Sequence, residues 1–296
     1  MAATIYVNGR ITGEREAVIP VLDHGFLYGE GVYEVMRTYQ RKAFLYDAHI
    51  ERMRRSAGMI NLVVPFTNLE LLARIEDTAA VFYDAQGDAG RGTEMYIRAL
   101  LTRGVGQMTY DPAACPVPTL VIIIKPQVDP PPEAYEKGVK VILVPVVRNH
   151  PFSINPLIKS NNLLNNALAA QFAMRQGGFE AIMRNYRSEI SECSQSNLFV
   201  VKDGTVLTPP IEAGLLAGIT RAFVFDVGKA CGVTVSETTL NDADLFDADE
   251  MFLTSTTREI VPIVTVGDSR IGNGTPGPVT GRLLAEFRRQ VAAMTW

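Results

Sequence analysis

Apolar positions along the chain follow two periods, and each period predicts a different kind of element. A spacing of three or four residues predicts helices, over residues 49–59, 68–84, 161–176, 220–231 and 279–291. Alternating or continuous apolar runs predict strands, over residues 32–44, 95–101, 119–125, 139–147, 181–183, 189–191, 198–201, 234–237, 250–254 and 260–266. The pair Asn8-Gly9 between two short apolar runs predicts a β-hairpin over residues 5–11. Because strands and helices mix without strict β-α-β alternation, we expect an α/β (α+β) fold with mixed sheets and flanking helices.

A proline-dense segment divides these elements into two groups. Residues 126–132 have the sequence Pro-Gln-Val-Asp-Pro-Pro-Pro, and proline interrupts both helices and sheets. We therefore predict an N-terminal α/β domain over residues 1–125, a linker over 126–137 and a C-terminal domain over 138–296. The length of 296 residues fits two domains of roughly 150 residues each.

Composition excludes several classes of partner. The 28 basic residues against 32 acidic ones leave a net charge of −4, which argues against nucleic-acid binding and against a polybasic membrane surface. No apolar run approaches the roughly 20 residues of a spanning helix, and the first ten residues do not resemble a signal peptide. Three distant cysteines (Cys115, Cys193 and Cys231) argue against a disulfide framework and against a zinc site. We expect a cytoplasmic protein with no metal, membrane or nucleic-acid partner.

Familiar catalytic motifs are missing from the sequence. The three histidines (His24, His49 and His150) have no metal-ligand spacing. Neither a Gly-x-Ser-x-Gly elbow nor a Walker loop occurs, and Gly25, Gly29 and Gly31 do not form a dinucleotide fingerprint. Metal hydrolases, serine hydrolases and dinucleotide enzymes are therefore disfavoured.

Two turns have the composition of anion-binding sites. Residues 214–220 form a glycine-containing loop before a predicted helix, with Thr220 placed at its N-cap, where free amides and the helix dipole favour a phosphate. Residues 254–257, Thr-Ser-Thr-Thr, follow a predicted strand. Taken singly, each is more often an ordinary cap or turn.

Charged residues in three places suggest covalent or anionic chemistry. The basic residues comprise 21 arginines and only seven lysines, so a nucleophilic lysine has few candidates. Lys159 lies before a predicted helix in an apolar setting, Glu192 between two strand-like runs, and Arg52 on the first long helix. A solvated lysine, a turn carboxylate and a surface arginine are the plain alternatives for these positions.

In their order and spacing, these segments resemble the class IV aminotransferases, which are fold-type IV pyridoxal-phosphate enzymes. The resemblance covers nearly the whole chain. It is carried by residues 23–35 (Asp-His-Gly-Phe-Leu-Tyr-Gly-Glu-Gly-Val-Tyr-Glu-Val), 49–52, 158–166, 190–199, 216–221, 252–257 and 277–280.

The resemblance implies pyridoxal 5′-phosphate as cofactor, bound by the C-terminal domain. Lys159 matches the lysine that forms the Schiff base with the cofactor aldehyde and then moves the proton between Cα and C4′. Glu192 matches the partner of the pyridine nitrogen, where a carboxylate keeps the ring protonated. The remaining cofactor contacts that the resemblance implies are Arg52, Ser196, Asn197, Leu216, Gly218, Ile219, Thr220, Ser255 and Thr256.

Substrate contacts are implied in the same way. The segment Tyr96-Ile-Arg98 resembles the branched-chain subgroup, in which this arginine meets the distal carboxylate of glutamate. The implied substrate set is Tyr28, Tyr33, Tyr96, Arg98, Thr256 and Thr257. The alternative is that alternating tyrosine and arginine residues simply line a strand pair.

The chain departs from each subgroup at one place. Branched-chain enzymes commonly have Asn-Tyr shortly after the lysine, where this chain has Leu163-Leu164. The Arg-x-His pair of D-amino acid aminotransferases is missing from residues 104–110. Because Arg98 bears directly on the substrate, we rank the branched-chain activity first.

The expected reaction moves an amino group between a hydrophobic L-amino acid and 2-oxoglutarate. It is ping-pong through pyridoxamine phosphate, in a homodimer or a higher homo-oligomer whose small-molecule partners are amino acids and 2-oxo acids. A D-amino acid aminotransferase, an aminodeoxychorismate lyase and a non-catalytic binding protein of the same fold remain as alternatives.

Overall fold

The chain forms two compact units in the computed structural model, which describes residues 3–87 and 92–294. One unit comprises Met1–Val128 and Ile158–Asn162, and the other comprises Asp129–Leu157 and Leu163–Trp296. The change from the first unit to the second falls within the proline-rich segment. The short segment 158–162 belongs to the first unit although residues of the second unit precede and follow it in sequence.

A six-stranded sheet forms the centre of the first unit. In spatial order its strands are β2 (Arg10–Gly13), β1 (Thr4–Val7), β6 (Thr119–Pro126), β5 (Met95–Thr102), β3 (Gly31–Tyr39) and β4 (Lys42–Ala43). Every pair in it is antiparallel. The predicted β1–β2 hairpin is confirmed, with φ of 43° at Asn8 and 98° at Gly9, the positive values that a two-residue type I′ turn requires.

Helices α1 (His24–Leu27), α2 (Tyr46–Met59) and α3 (Asn68–Gln86) complete this unit. Thr67 and Glu70 form a capping box at the start of α3, which satisfies two free amides. The buried face of α3 carries Leu71, Ile75 and Phe82, whereas Leu69 is 78% exposed. With 3.6 residues per turn, Leu69 lies nearly opposite Leu71. The helix buries the face with the larger number of apolar residues, and Leu69 is left on the solvent side.

A nine-stranded mixed sheet forms the second unit. Its strands are β7 (Val139–Leu143), β8 (Glu180–Arg184), β9 (Ile190–Cys193), β10 (Asn197–Lys202), β11 (Thr205–Thr208), β12 (Val235–Glu237), β13 (Glu250–Ser255), β14 (Glu259–Val266) and β15 (Ser269–Arg270). The spatial order is β12-β11-β10-β13-β14-β7-β8-β9, with β15 on β14. Three pairs are parallel: β7–β8, β7–β14 and β11–β12. The expected fold class, with mixed sheets and flanking helices, is confirmed, although the first sheet is antiparallel throughout.

The described part of the second unit contains the α-helices α4 (Pro132–Glu136), α5 (Leu164–Arg175), α6 (Ile219–Ala230), α7 (Asp242–Phe246) and α8 (Pro278–Ala293), and a 3-10 helix over Ile211–Ala213. Several helix starts differ from the prediction, and α2 already begins at Tyr46 rather than at residue 49. Helix α5 begins at Leu164 rather than at residue 161, and the N-cap of α6 is Gly218 rather than Thr220. Among the described helices, none is long and apolar enough to cross a membrane.

Helix α8 is capped by a side chain from the neighbouring strand. The buried carboxylate of Glu250 accepts hydrogen bonds from the backbone amides of Val279 and Thr280, at 2.9 and 2.7 Å, and from the Thr280 hydroxyl at 2.7 Å. The residue before the helix, Gly277, has no side chain, and a Cβ at this position would collide with the Glu250 carboxylate. The N-cap residue of the helix makes no side-chain hydrogen bond. Glu250 instead accepts from the amides that the first turn leaves without helical partners.

We expect Glu250→Ala to lower the free energy of unfolding by about 1–3 kcal/mol, because buried amides would lose their acceptor. Urea denaturation measures the change. Asp268→Ala is the matched control, since Asp268 is fully exposed in its pair with Lys140 and exposed pairs contribute little. An equal effect of the two substitutions would contradict the capping role.

Candidate functional site

Lys159 lies beside β3, next to an isolated β-bridge between Val32 and Ser160. Its carbonyl accepts a hydrogen bond from the Tyr33 amide at 2.9 Å, and its own amide donates to Ser56 Oγ at 3.1 Å. The Asn161 amide donates to the Gly31 carbonyl at 2.9 Å. The predicted start of the long helix at residue 161 is therefore wrong, because residues 159–161 pair with β3 and α5 begins only at Leu164.

The ring of Tyr33 brings two cations together. Lys159 Nζ lies 4.6 Å from the ring centroid, and Arg98 Cζ lies 4.1 Å from it. Arg98 is paired with Val35 across β3 and β5, so Arg98 and Tyr33 share one face of the sheet. Tyr96 is on that face as well, with Lys125 Nζ 4.8 Å from its ring. The structure thus gathers Tyr33, Arg98 and Lys159, three of the predicted site residues.

Tyr28, the remaining aromatic prediction, ends helix α1. Its ring centroid is 4.9 Å from that of His24 and 5.4 Å from that of Tyr110. His24 is itself held by Glu30, at 3.2 Å, and by the carbonyl of Gln107, at 2.8 Å. The contacts of Tyr28 are therefore with its own loop and with the loop that follows β5.

Arg52 forms a buried cluster with Glu34 and His49. Arg52 Nε and Nη2 donate to the two oxygens of Glu34 at 2.7 Å each, and His49 Nδ1 lies 2.7 Å from Glu34 Oε2. Burial alone would raise the pKa of Glu34, but the charge and hydrogen bonds of Arg52, together with His49, lower it to about 2. Burial lowers the pKa of His49. Neither partner was predicted; the only signal was a glutamate at an inward position of an apolar strand.

Glu192 on β9 is held by three donors of the second unit. Arg148 Nε donates to Oε1 at 2.7 Å, while the Leu216 amide and Asn197 Nδ2 donate to Oε2 at 3.0 and 3.4 Å. Asn197 Nδ2 also donates to the Leu216 carbonyl at 3.0 Å. Three predicted residues, Glu192, Asn197 and Leu216, therefore meet. Arg148 was missed because no motif marks it.

The first turn of α6 contains a buried hydroxyl without a partner in the described chain. Its N-cap, Gly218, supplies no side chain, and a Cβ there would collide with Asn197 Oδ1. Ile219 and Thr220 follow it in the first turn, where backbone amides lack helical partners. Thr220 Oγ1 is buried and has no hydrogen-bond partner among the described residues. A buried hydroxyl at a helix N-terminus fits an anion such as a phosphate.

The second predicted anion turn joins β13 to β14. Ser255 ends β13, Thr256 and Thr257 form the turn, and Thr254 Oγ1 before them is buried without a partner in the described chain. Ser196, another predicted contact, donates its hydroxyl to Glu180 at 3.2 Å. The first unit thus carries Lys159, Arg52 and the aromatic face, and the second carries the carboxylate and the anion turns.

Comparison with known proteins identifies the chain. A family model described as amino-transferase class IV matches residues 31–266. A putative branched-chain-amino-acid aminotransferase of Methanocaldococcus jannaschii is 36% identical over 284 residues, 96% of this chain and 95% of that protein. A D-alanine aminotransferase of Listeria monocytogenes serotype 4b is 32% identical over 289 residues, 97% of this chain and 96% of its own length.

Solved structures show the same architecture. The branched-chain amino acid aminotransferase of Escherichia coli superposes with a TM-score of 0.86 at 31% identity, covering 96% of this chain and 92% of that one. A T.th. branched-chain amino acid aminotransferase with pyridoxamine 5′-phosphate gives a TM-score of 0.89 at 28% identity, covering 98% of this chain and 94% of that one. Since the family model and the curated relatives span most of the chain, this protein belongs to the class IV aminotransferases.

Proposed function

We propose that this aminotransferase moves an amino group between a branched-chain, hydrophobic L-amino acid and 2-oxoglutarate. The observation that carries the proposal is the contact of Lys159 and Arg98 with the ring of Tyr33. A guanidinium beside the reactive amine suits a substrate with a second carboxylate, such as glutamate. The aromatic face beside it suits an aliphatic side chain. One enzyme must accept both substrates in its two half-reactions.

The residues present fit pyridoxal 5′-phosphate, the cofactor that the family uses. When bound, this cofactor supplies an aldehyde that takes up the amino group and a ring that accepts electrons. Lys159 is the amine we assign to that aldehyde. Glu192, anchored by Arg148 and by the Leu216 amide, suits the ring nitrogen as an acceptor. The unsatisfied Thr220 hydroxyl at the start of α6 suits the phosphate.

Each assigned residue then has one task. Lys159 carries a proton to and from the substrate carbon. Arg98 binds the distal carboxylate of glutamate, while Tyr33 holds both cations at its ring. Glu34 fixes the guanidinium of Arg52 for a phosphate contact, because a bidentate pair allows only one orientation. We retain the other residues expected from the family: Tyr28, Tyr96, Ser196, Asn197, Leu216, Gly218, Ile219, Ser255, Thr256 and Thr257.

A second candidate is transfer from D-amino acids. Two observations favour it: the 32% identity to a D-alanine aminotransferase over 97% of the chain, and Leu164 in place of a tyrosine. Leu164 is the first residue of α5 and is 67% exposed. We propose a cytoplasmic location for either activity, in line with three unpaired cysteines.

A panel of amino donors separates the two candidates. We expect L-leucine and L-glutamate to change the absorbance of the bound cofactor with a kcat/KM at least about tenfold above that of D-alanine, a difference of about 1.4 kcal/mol in transition-state binding. Stopped-flow half-reactions measure it. Activity confined to D-alanine would refute the branched-chain assignment.

Lysine variants provide the control for that panel. Lys159→Ala removes the proposed nucleophile, so it should bind cofactor without turnover. Lys42→Ala, on an exposed residue of β4, should retain the wild-type rate. Full activity in Lys159→Ala would show that another group performs the chemistry.

The Glu34–Arg52 pair has a pH signature. We expect Glu34→Gln to destabilise the chain at pH 7 by roughly 3–5 kcal/mol, because it leaves the buried Arg52 uncompensated. The pKa of Glu34 lies near 2, below its usual 4.5, so its contribution is complete above pH 4.5 and is lost as the pH falls toward 2. The difference in free energy of unfolding between wild type and variant, measured by urea denaturation, should therefore become smaller as the pH falls from 4.5 toward 2. Glu51→Gln, in an exposed pair with Arg55 on the same helix, should have little effect at any pH; a pH-independent gap would contradict the account.

We further propose that the chain acts as a homodimer, since the first unit exposes a large apolar surface. Val21, Phe26, Met108 and Tyr110 are between 70% and 83% exposed. Val21 precedes α1 and Phe26 lies within it, whereas Met108 and Tyr110 lie in the loop after β5. The two segments are joined, because the Gly106 amide donates to the Leu22 carbonyl at 3.4 Å. Exposed apolar side chains on two connected segments are typical of a protein interface, and a second copy of the chain is the occupant we propose.

Sedimentation equilibrium tests the dimer. The wild-type chain should sediment at twice the monomer mass at micromolar concentration, and Phe26→Asp with Met108→Asp should shift it to the monomer by placing charges in the interface. Val128→Asp, at an 81% exposed position outside these segments, should leave the dimer intact. A wild-type monomer would contradict this assignment.

A further inference from the structure

Arg258 joins two turns of the second unit. It is the last residue of the turn between β13 and β14, directly after Thr256 and Thr257. Its Nη1 donates to Glu180 Oε2 at 2.5 Å and to Ser196 Oγ at 3.4 Å. Its Nη2 donates to Gln195 Oε1 at 3.1 Å. The guanidinium therefore binds both to Glu180 on β8 and to the turn between β9 and β10.

Both ends of Arg258 are fixed. The Tyr135 hydroxyl donates to its carbonyl at 3.0 Å, and its amide donates to the Ser255 carbonyl at 3.2 Å. Glu180, its charged partner, is almost fully buried and also accepts from the hydroxyls of Ser194 and Ser196. An ion pair that also makes hydrogen bonds to neighbouring side chains restricts local geometry more than it adds to net stability.

The two turns carry different parts of the proposed cofactor site. Residues 194–196 connect β9, which carries Glu192, to β10, which begins at Asn197, and the other turn contains Thr256. Asn197 is paired with Thr254 across β10 and β13, so the two turns lie at the same end of adjacent antiparallel strands. A cross-link between them sets the spacing from the Glu192 strand to the Thr256 turn.

We propose that Arg258, held by Glu180, is a positioning residue that keeps the Thr256 turn in register with Glu192 for a phosphorylated pyridine ligand. The inference rests on the proposed function. The ion pair acts through the two turns that it joins. Loss of Arg258 should weaken the hold on the phosphate while the rest of the ligand is still recognised.

Two ligands test this role. Apo-protein is titrated with pyridoxal 5′-phosphate and with pyridoxal, which lacks the phosphate. In Arg258→Met we expect the dissociation constant for pyridoxal 5′-phosphate to rise about tenfold or more, with that for pyridoxal unchanged within about twofold. Arg258→Lys keeps a positive charge beside Glu180 but lacks the second arm that donates to Gln195. Its dissociation constant for pyridoxal 5′-phosphate should therefore lie between those of the wild type and Arg258→Met.

Arg184→Met is the matched control, because Arg184 lies on the same strand as Glu180 and pairs with Asp242. It should bind both ligands like the wild type. Equal weakening of both ligands in Arg258→Met, or no weakening of either, would overturn the positioning role. Failure of the wild-type chain to bind pyridoxal 5′-phosphate would instead overturn the proposed function, and this inference with it.

Discussion

A short backbone ladder between β3 and residues 159–161 is the constraint on which the candidate chemistry depends. Two hydrogen bonds, from Tyr33 to the Lys159 carbonyl and from Asn161 to the Gly31 carbonyl, hold the segment on the strand edge. Gly31 permits the approach, because a Cβ there would press on Asn161 Nδ2 and on the Leu101 carbonyl. The ladder brings a lysine from the middle of the sequence into the first unit and places its amine beside Tyr33. It also explains why α5 begins only at Leu164.

Each unit compensates its own buried charges. In the first unit, Glu34 compensates Arg52 inside the core, whereas Arg98 and Lys159 share an aromatic face. In the second unit, Glu192 is compensated by Arg148, and the N-terminus of α6 keeps an unsatisfied hydroxyl. The net charge of −4 hides these local arrangements, and the local arrangements are what small anionic substrates would meet.

The spacing of apolar residues predicted most of the strands and all of the long helices, because this spacing indicates which face of an element is buried. It failed where tertiary contacts override local preference. Residues 161–163 have a helical pattern but are drawn toward β3, and Thr220 resembles an N-cap although Gly218 is the cap. Motif order pointed to Lys159, Glu192 and Thr220. It did not indicate the ion pairs of Glu34, Arg148 and Arg258, since their charged partners are 18, 44 and 78 residues away in sequence.

Chemical trapping of the lysine tests the central claim most directly. The purified protein, loaded with pyridoxal 5′-phosphate, is reduced with borohydride and digested, and the modified peptide is identified by mass spectrometry. The account predicts a pyridoxyl group on Lys159 and on none of the other six lysines of the chain. A stable label on any other lysine, with Lys159 unmodified, would contradict it.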